Sequence, residues 1–105
     1  MTYQGHSVAV VVPAYNEEVL IRRVIETMPG YVDKIVVVDD ASKDRTVEVV
    51  RGYEAQLDER LVLLEHETNR GVGGAIATGY RWCRDQAVDA VAVMAGDAQM
   101  DPEDL

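Results

Sequence analysis

Four short polar clusters carry most of the residues in this chain that could do chemistry, and each follows an apolar run of the β type. The clusters occupy residues 13–18, 39–44, 69–74 and 96–101. A single cluster of this kind is usually a turn with a helix cap. Four clusters that meet at one edge of a sheet would instead form a ligand site, so their placement decides the function.

The adjacent carboxylates of Asp39 and Asp40 stand at the end of a buried apolar run. Two adjacent carboxylates repel each other, and burial removes their solvation. We therefore expect one carboxylate to turn to solvent and the other to face a crevice. A crevice carboxylate can accept hydrogen bonds from a nucleobase N–H or a ribose hydroxyl. A turn in which Asp40 pairs with Ser42 is the alternative, and the residue types favour neither.

Closely spaced glycines distinguish the third cluster, Asn69-Arg70-Gly71-Val72-Gly73-Gly74. Glycines before a helix allow backbone N–H groups to approach an anion at the helix start. They also allow a tight turn with close packing between helix and strand, and both interpretations stay open. The cluster is not the dinucleotide-binding fingerprint, because that motif follows the first strand of its unit.

Asp97 in the fourth cluster has no cationic neighbour, and its carboxylate is a suitable ligand for Mg²⁺ or Mn²⁺. A divalent cation would also offset the net charge of −9, which opposes the binding of a phosphate ester. Asp101 is instead expected to cap a helix. His6 and His66 lack a partner at metal-ligand spacing, so we expect both to be solvated.

The elements that must position these clusters begin with four apolar runs, which predict strands at residues 8–12, 35–38, 61–64 and 90–94. The first two runs are almost unbroken valine and isoleucine. That pattern indicates strands covered on both faces, as in a parallel sheet.

Segments with the helical spacing of apolar residues separate the strands. Their apolar stripes are Ile21, Val24, Ile25 and Met28; Thr46, Val50, Tyr53 and Leu57; and Val72, Ile76, Tyr80, Cys83 and Ala87. Ser42 or Asp44 could cap the second helix. A fourth helix is predicted to begin around Pro102.

The alternation of strands and helices predicts an α/β fold with a Rossmann-like, mostly parallel sheet and helices on both faces. Right-handed crossovers favour the strand order 3-2-1-4. Ligands bind at the carboxyl ends of the strands where the chain reverses direction, here between strands 1 and 4. This order would bring residues 13–17 and 96–101 side by side. Strand 4 would be an apolar edge at which a second copy could pair as a homodimer.

Composition and charge narrow the function classes. The 105 residues suit one domain, and the single cysteine, Cys83, excludes an internal disulfide and is expected in the core. The acidic balance argues against nucleic acid as a partner. No apolar run approaches the ~20 residues of a membrane span, and residues 1–6 lack the features of a signal peptide. We therefore expect a cytoplasmic protein.

Taken together, these motifs resemble the inverting family-2 glycosyltransferases of the GT-A fold. The matching segments are residues 10–17, 37–46, 69–71 and 94–102. Their order and spacing agree across nearly the whole chain. Within the family, the chain is most similar to polyprenyl-phosphate sugar transferases such as dolichyl-phosphate mannose synthase, through residues 71–80 and 96–102.

The resemblance implies a nucleoside pocket built from the first two clusters. Pro13, Ala14, Tyr15 and Glu17 would line this pocket. Asp40 would hold the base.

The other two clusters are implied to contact the rest of the donor. Asn69, Arg70 and Gly71 would lie along the nucleotide, and Asp97 would bind the diphosphate through Mg²⁺ or Mn²⁺. Ala95 is a departure, because it stands where the family's Asp-X-Asp motif has its first aspartate. Metal binding would then rest on Asp97, the diphosphate and water, with other residues of the protein.

The function implied by the resemblance is transfer of a sugar from a nucleoside diphosphate sugar to an acceptor such as a polyprenyl phosphate. Residues 1–105 would be the nucleotide-sugar-binding part of the transferase domain, incomplete at the C-terminus. The family's catalytic base would lie beyond Leu105, so we expect the isolated chain to be inactive. We expect the full-length protein to act at the cytoplasmic face of a membrane.

Two other functions stay open. One is a non-catalytic nucleotide-binding module. The other is a nucleotidyltransferase that forms sugar nucleotides, although such an enzyme normally has a glycine- and arginine-rich loop directly after strand 1.

Overall fold

The structure is a computed structural model and describes residues 6–94 of the chain. Within these residues, strands are separated by helices, and a 3₁₀ turn, Asp58–Arg60, precedes the third strand. The elements are β1 (Val8–Ala14), α1 (Ile21–Glu26), β2 (Lys34–Asp39), α2 (Thr46–Arg51), α3 (Glu54–Leu57), β3 (Leu61–Glu65), α4 (Gly71–Asp85) and β4 (Ala90–Val93). The helix predicted around Pro102 lies outside the described residues.

The four strands form one parallel sheet in the order β3-β2-β1-β4, which confirms the predicted topology. β1 extends two residues further than predicted and includes Pro13 and Ala14. The backbone of Pro13 faces the β4 side, because alternate residues share a side and Val11 accepts the Met94 N–H there. The missing N–H of proline therefore leaves the β1–β2 ladder intact.

Both faces of the sheet are covered, as the unbroken valine runs predicted. On one face, α1 and α2 pack on alternate residues of β1 and β2, among them Val10, Val12 and Val37. On the other face, α4 packs on Val11 and Val36. The two buried clusters hold the strands so that all their carboxyl ends lie at one edge of the sheet.

The second predicted helix is divided in two. Gly52 ends α2 and Tyr53 precedes α3, in keeping with the low helix propensity of glycine. The predicted stripe nevertheless faces the core, because Thr46, Val50 and Tyr53 are buried. α1 is also shorter than predicted, although Met28 beyond its end remains buried.

The predicted packing face of α4 is confirmed at Cys83, which is buried as expected, and is wrong at Val72 and Tyr80. Val72 is 66% exposed and Tyr80 is 46% exposed, whereas the residues that face the sheet are Ala75, Gly79 and Cys83. A Cβ atom at Gly79 would overlap the side chain of Val11. Small residues therefore allow α4 to lie close against β1, and apolar spacing alone could not reveal this. None of the helices in the described part of the chain is long and apolar enough to cross a membrane.

Candidate functional site

The loops that follow β1 and β2 are joined by four hydrogen bonds at the carboxyl edge of the sheet. Ser42 Oγ accepts the Asn16 N–H at 2.9 Å, and Asn16 Oδ1 accepts the Lys43 N–H at 2.8 Å. Two further bonds run from the N–H of Glu17 to Thr46 Oγ1 and from the N–H of Glu18 to Asp44 Oδ2. The first and second polar clusters are thus brought together, as predicted.

Asn16 and Glu17 shape the turn between β1 and α1. Asn16 has a left-handed backbone, with φ of 54°, which asparagine tolerates better than most residues. The Glu17 carbonyl accepts the N–H groups of Leu20 and Ile21 and so starts α1. Tyr15, which precedes this turn, is 41% exposed at the same edge.

Asp44, rather than Ser42, holds the start of α2. Its Oδ1 accepts the Thr46 N–H at 2.9 Å and the Thr46 hydroxyl at 2.5 Å, while Oδ2 accepts the Glu18 N–H at 3.2 Å. Burial acts to raise the pKa of Asp44, but these hydrogen bonds outweigh it and hold the pKa below its ordinary value. The Asp44 carboxylate therefore links α2 to the loop after β1.

The Asp40 carboxylate organises the third cluster. Its Oδ1 accepts the Arg70 N–H and its Oδ2 accepts the Gly71 N–H, each at 2.8 Å. The Asn69 side-chain amide donates to the Asp40 carbonyl at 3.3 Å. Burial raises the pKa of Asp40, but hydrogen bonds from His66, Arg70 and Gly71 outweigh this and lower the pKa below its ordinary value.

The amides at the start of α4 thus meet an anion that belongs to the protein itself. Gly71 has a φ of +81°, a backbone conformation that favours glycine, and its N–H also lies 3.1 Å from Asn69 Oδ1. For this stretch, the structure supports the tight-turn interpretation. Asn69, Arg70 and Gly71 are themselves exposed, so the outer surface of the turn is open to a ligand.

Asp39 and Asp40 are both buried, each 3% exposed, so the expectation that one turns to solvent is wrong. Successive residues of a strand point to opposite faces, which separates the two carboxylates. Asp40 faces α4, and Asp39 lies on the side of Val37 and α2. The turn partner of Ser42 is Asp39, whose Oδ2 accepts the Ser42 N–H at 3.1 Å. Asp39 Oδ1 is buried and has no hydrogen-bond partner among the described residues.

His66 is buried, so the expectation that it is solvated is also wrong. Its Nδ1 lies 2.8 Å from Asp40 Oδ1 and its Nε2 lies 2.8 Å from Thr78 Oγ1 in α4. No local sequence pattern signals this contact, because it depends on the register between β2 and β3. Asp39 at the end of β2 pairs with Glu65 at the end of β3, so the residues that follow them, Asp40 and His66, also lie side by side. His6, by contrast, is exposed as expected.

Pro13 is half-buried and Ala14 is buried at the end of β1, beside the loop that follows β2. The Ala14 carbonyl accepts the Asp40 N–H at 2.9 Å. Asp97 lies outside the described residues. Within residues 6–94, no three His, Cys, Asp or Glu side chains lie together in a way that could hold a metal ion.

The chain is similar in sequence to known glycosyltransferases. The family model described as glycosyl transferase family 2 matches residues 9–105. A UDP-N-acetylglucosamine–dolichyl-phosphate N-acetylglucosaminyltransferase of Methanococcus voltae is 31% identical over 107 residues, which covers 90% of this chain and 43% of the relative. An undecaprenyl-phosphate mannosyltransferase of Micrococcus luteus is 31% identical over 102 residues, covering 93% of this chain and 41% of the relative.

Two solved structures show the same architecture. A mannosyltransferase of Pyrobaculum calidifontis in complex with GDP-Man and Mn²⁺ superposes with a TM-score of 0.73 at 32% identity, covering 88% of this chain and 28% of that one. A glucosyl-3-phosphoglycerate synthase of Mycobacterium tuberculosis, in complex with Mn²⁺, UDP and glucosyl-3-phosphoglycerate, gives a TM-score of 0.67 at 25% identity. It covers 89% of this chain and 34% of that one.

The chain spans less than half the length of these relatives. The fold also agrees with the GT-A glycosyltransferases that the resemblance implied, and the all-parallel sheet has the strand order that the crossover rule predicted. The chain belongs to glycosyl transferase family 2.

Proposed function

We propose that this chain forms the donor-binding part of an enzyme that transfers a sugar from a nucleoside diphosphate sugar to a polyprenyl phosphate. The observation that carries the proposal is the joining of the loops after β1, β2 and β3 at one edge of the sheet. Relatives named as transferases to dolichyl phosphate and undecaprenyl phosphate support the acceptor class. Family membership favours transfer over the nucleotidyltransferase alternative.

In this proposal, the nucleoside lies over the end of β1 and the loop that follows it. Pro13, Ala14, Tyr15 and Glu17 form the wall of the pocket. Tyr15 is 41% exposed and Pro13 is half-buried, so both side chains have surface that a ligand can contact. The bonds from residues 16–18 to the loop after β2 support the proposal, because they hold the wall in place before a ligand binds.

The base is proposed to donate an N–H to Asp40. Oδ2 of Asp40 accepts one N–H among the described residues, and a carboxylate oxygen has room for a second donor. Asp39 is a second candidate, because its Oδ1 is buried without a partner in residues 6–94. A buried carboxylate oxygen without a donor is costly, and a ligand N–H or hydroxyl would relieve that cost.

Asn69, Arg70 and Gly71 are proposed to lie along the nucleotide, with the Arg70 side chain near its phosphates. Asp97 would hold Mg²⁺ or Mn²⁺ together with the diphosphate, and Mn²⁺ appears in the names of two structural neighbours. When bound, such a cation would neutralise the charge that develops on the leaving diphosphate. Because the chain has a net charge of −9 and repels a diphosphate, a bound cation would favour diphosphate binding.

A polyprenyl phosphate resides in a lipid bilayer, so the proposed acceptor implies action at a membrane surface, and we propose the cytoplasmic face. For the isolated 105-residue chain, we also propose that two copies pair through β4, whose apolar residues Val91 and Val93 are half-buried and which pairs only with β1 in the described part of the sheet. An unpaired strand edge is a template for a second chain.

The test is transfer of radiolabelled sugar from a nucleoside diphosphate sugar to undecaprenyl or dolichyl phosphate by the full-length protein. The proposal would be supported if the radiolabel extracts into organic solvent and if mild acid releases it from the lipid. Tight nucleotide binding with no transfer to any acceptor would favour the non-catalytic binding module instead.

A further inference from the structure

His66 lies between the proposed donor site and the core face of α4. The imidazole is buried, and its two nitrogens contact Asp40 on one side and Thr78 on the other, each at 2.8 Å. The Thr78 hydroxyl lies 3.0 Å from the Gly74 carbonyl, to which it can donate. His66 therefore connects the end of β2 to the second turn of α4, and none of the proposed ligand contacts includes it.

The hydrogen-bond partners assign the role of Nδ1. The Asp40 carboxylate already accepts the N–H groups of Arg70 and Gly71, which is the behaviour of an ionised acceptor. Nδ1 must then carry the proton and donate to Oδ1. Without that donor, Oδ1 would keep only the Arg70 N–H in a buried setting, and the carboxylate would be less firmly oriented.

We propose that His66 is a positioning residue of the donor site: it fixes the Asp40 carboxylate, which in turn holds the backbone of Arg70 and Gly71 where the nucleotide binds. This inference rests on the proposed function. His66 does not touch the ligand. It acts through Asp40, whose carboxylate is buried while Asn69, Arg70 and Gly71 present their outer surface to solvent.

Two substitutions separate the two contacts of the ring. In His66→Asn, the amide nitrogen takes the place of Nδ1 and can still donate to Asp40, but the contact with Thr78 is lost. In His66→Gln, the amide lies nearer the place of Nε2, so the contact with Thr78 remains and the donor to Asp40 is lost. Each variant loses one side-chain hydrogen bond, so we expect similar losses in the free energy of unfolding.

The affinity for GDP and UDP in the presence of Mn²⁺ distinguishes a positioning role from a purely structural one. Calorimetry on the parent and both variants should show about a tenfold weaker affinity in His66→Gln, the equivalent of one hydrogen bond to a charged group. His66→Asn should remain close to the parent. Thr78→Val, which preserves side-chain volume, should also bind nucleotide like the parent.

Amide hydrogen exchange supplies a readout that needs no nucleotide. The Arg70 and Gly71 amides should exchange about tenfold faster in His66→Gln than in the parent, with little change in His66→Asn. Parental affinity and parental exchange in a folded His66→Gln variant would overturn the inference. A parent that binds no nucleotide would overturn the proposed function, and accelerated exchange would still show that His66 orders the segment.

Discussion

The Nδ1 atom of His66 lies 2.8 Å from Oδ1 of Asp40, and both side chains are buried. This contact joins the residue that follows β3 to the residue that follows β2. The same Asp40 carboxylate accepts two N–H groups at the start of α4. One buried acceptor thus sets the relative position of three segments at the ligand edge, and its charge state should influence stability.

Acid should destabilise the protein through Asp40 and Asp44. Hydrogen bonds hold both pKa values below the ordinary 3.8, so each contributes stability that is present above about pH 4 and lost as the pH falls through the folded-state pKa. Asp44→Ala should cost about 1 kcal/mol at pH 7, as for a lost helix cap. The difference in the free energy of unfolding between Asp44→Ala and the parent protein should become smaller in more acidic buffer. Urea unfolding between pH 7 and pH 2 checks this, and a constant difference across that range would contradict it.

Asp40 should dominate nucleotide affinity if it accepts a base N–H. Asp40→Asn should weaken GDP or UDP binding by about ten- to a hundredfold, the range for a hydrogen bond to a charged group. Asp44→Asn, a nearby change that removes the same charge, should weaken it much less. Calorimetry on folded variants is the measurement. A larger loss in Asp39→Asn than in Asp40→Asn would identify Asp39 as the acceptor.

Nucleotide binding should require a divalent cation. A −9 chain repels a diphosphate, and Asp97 is proposed to bind it through Mg²⁺ or Mn²⁺. Titration with GDP and UDP should give measurable heat with either metal and none in EDTA. Asp97→Asn should weaken the metal-dependent binding, whereas Asp85→Asn on the exposed end of α4 serves as the charge-matched control. Equal affinity in EDTA would remove the metal from the proposal.

Two glycines of α4 should respond in opposite directions to alanine. A Cβ atom at Gly73 meets nothing within 4 Å, so Gly73→Ala should stabilise the protein by about 0.5–1 kcal/mol through helix propensity. A Cβ atom at Gly79 would overlap Val11, so Gly79→Ala should destabilise it by about 1–3 kcal/mol. In thermal and urea unfolding, Gly73→Ala should therefore be more stable than the parent protein and Gly79→Ala less stable. Equal effects would mean that α4 does not approach β1 closely.

Self-association should depend on salt if two copies pair through β4. Like charges on an acidic surface repel, and screening at moderate salt weakens that repulsion. Light scattering after size exclusion should show more dimer at moderate than at low ionic strength. Ala90→Lys at the exposed start of β4 should reduce the dimer fraction, because charged residues protect strand edges. A clean monomer in both buffers would argue against pairing through this strand.

The positions of the strands and the ligand edge could be read from the sequence because they depend on local pattern and general chain geometry. Unbroken valine runs require cover on both faces, and right-handed crossovers leave the order β3-β2-β1-β4. That order predicted that residues 13–17 lie beside residues 96–101, and the latter lie outside the described residues. The parallel arrangement also predicted that the polar clusters lie at one edge of the sheet. The four hydrogen bonds between residues 16–18 and 42–46 confirm it for the first two clusters.

Only the tertiary structure decided which partner each polar side chain takes. Asp39 and Asp40 are adjacent in the chain but lie on opposite faces of the sheet, so one meets Ser42 and the other meets His66 and α4. His66 looked solvated because its partners are 26 and 12 residues away. Cys83 was predicted correctly, but the rest of the packing face of α4 was missed because the close approach is made by Gly79, which no apolar pattern counts. Periodicity records which residues avoid water, whereas hydrogen-bond partners and close contacts depend on register and distance, which exist only once the elements have packed.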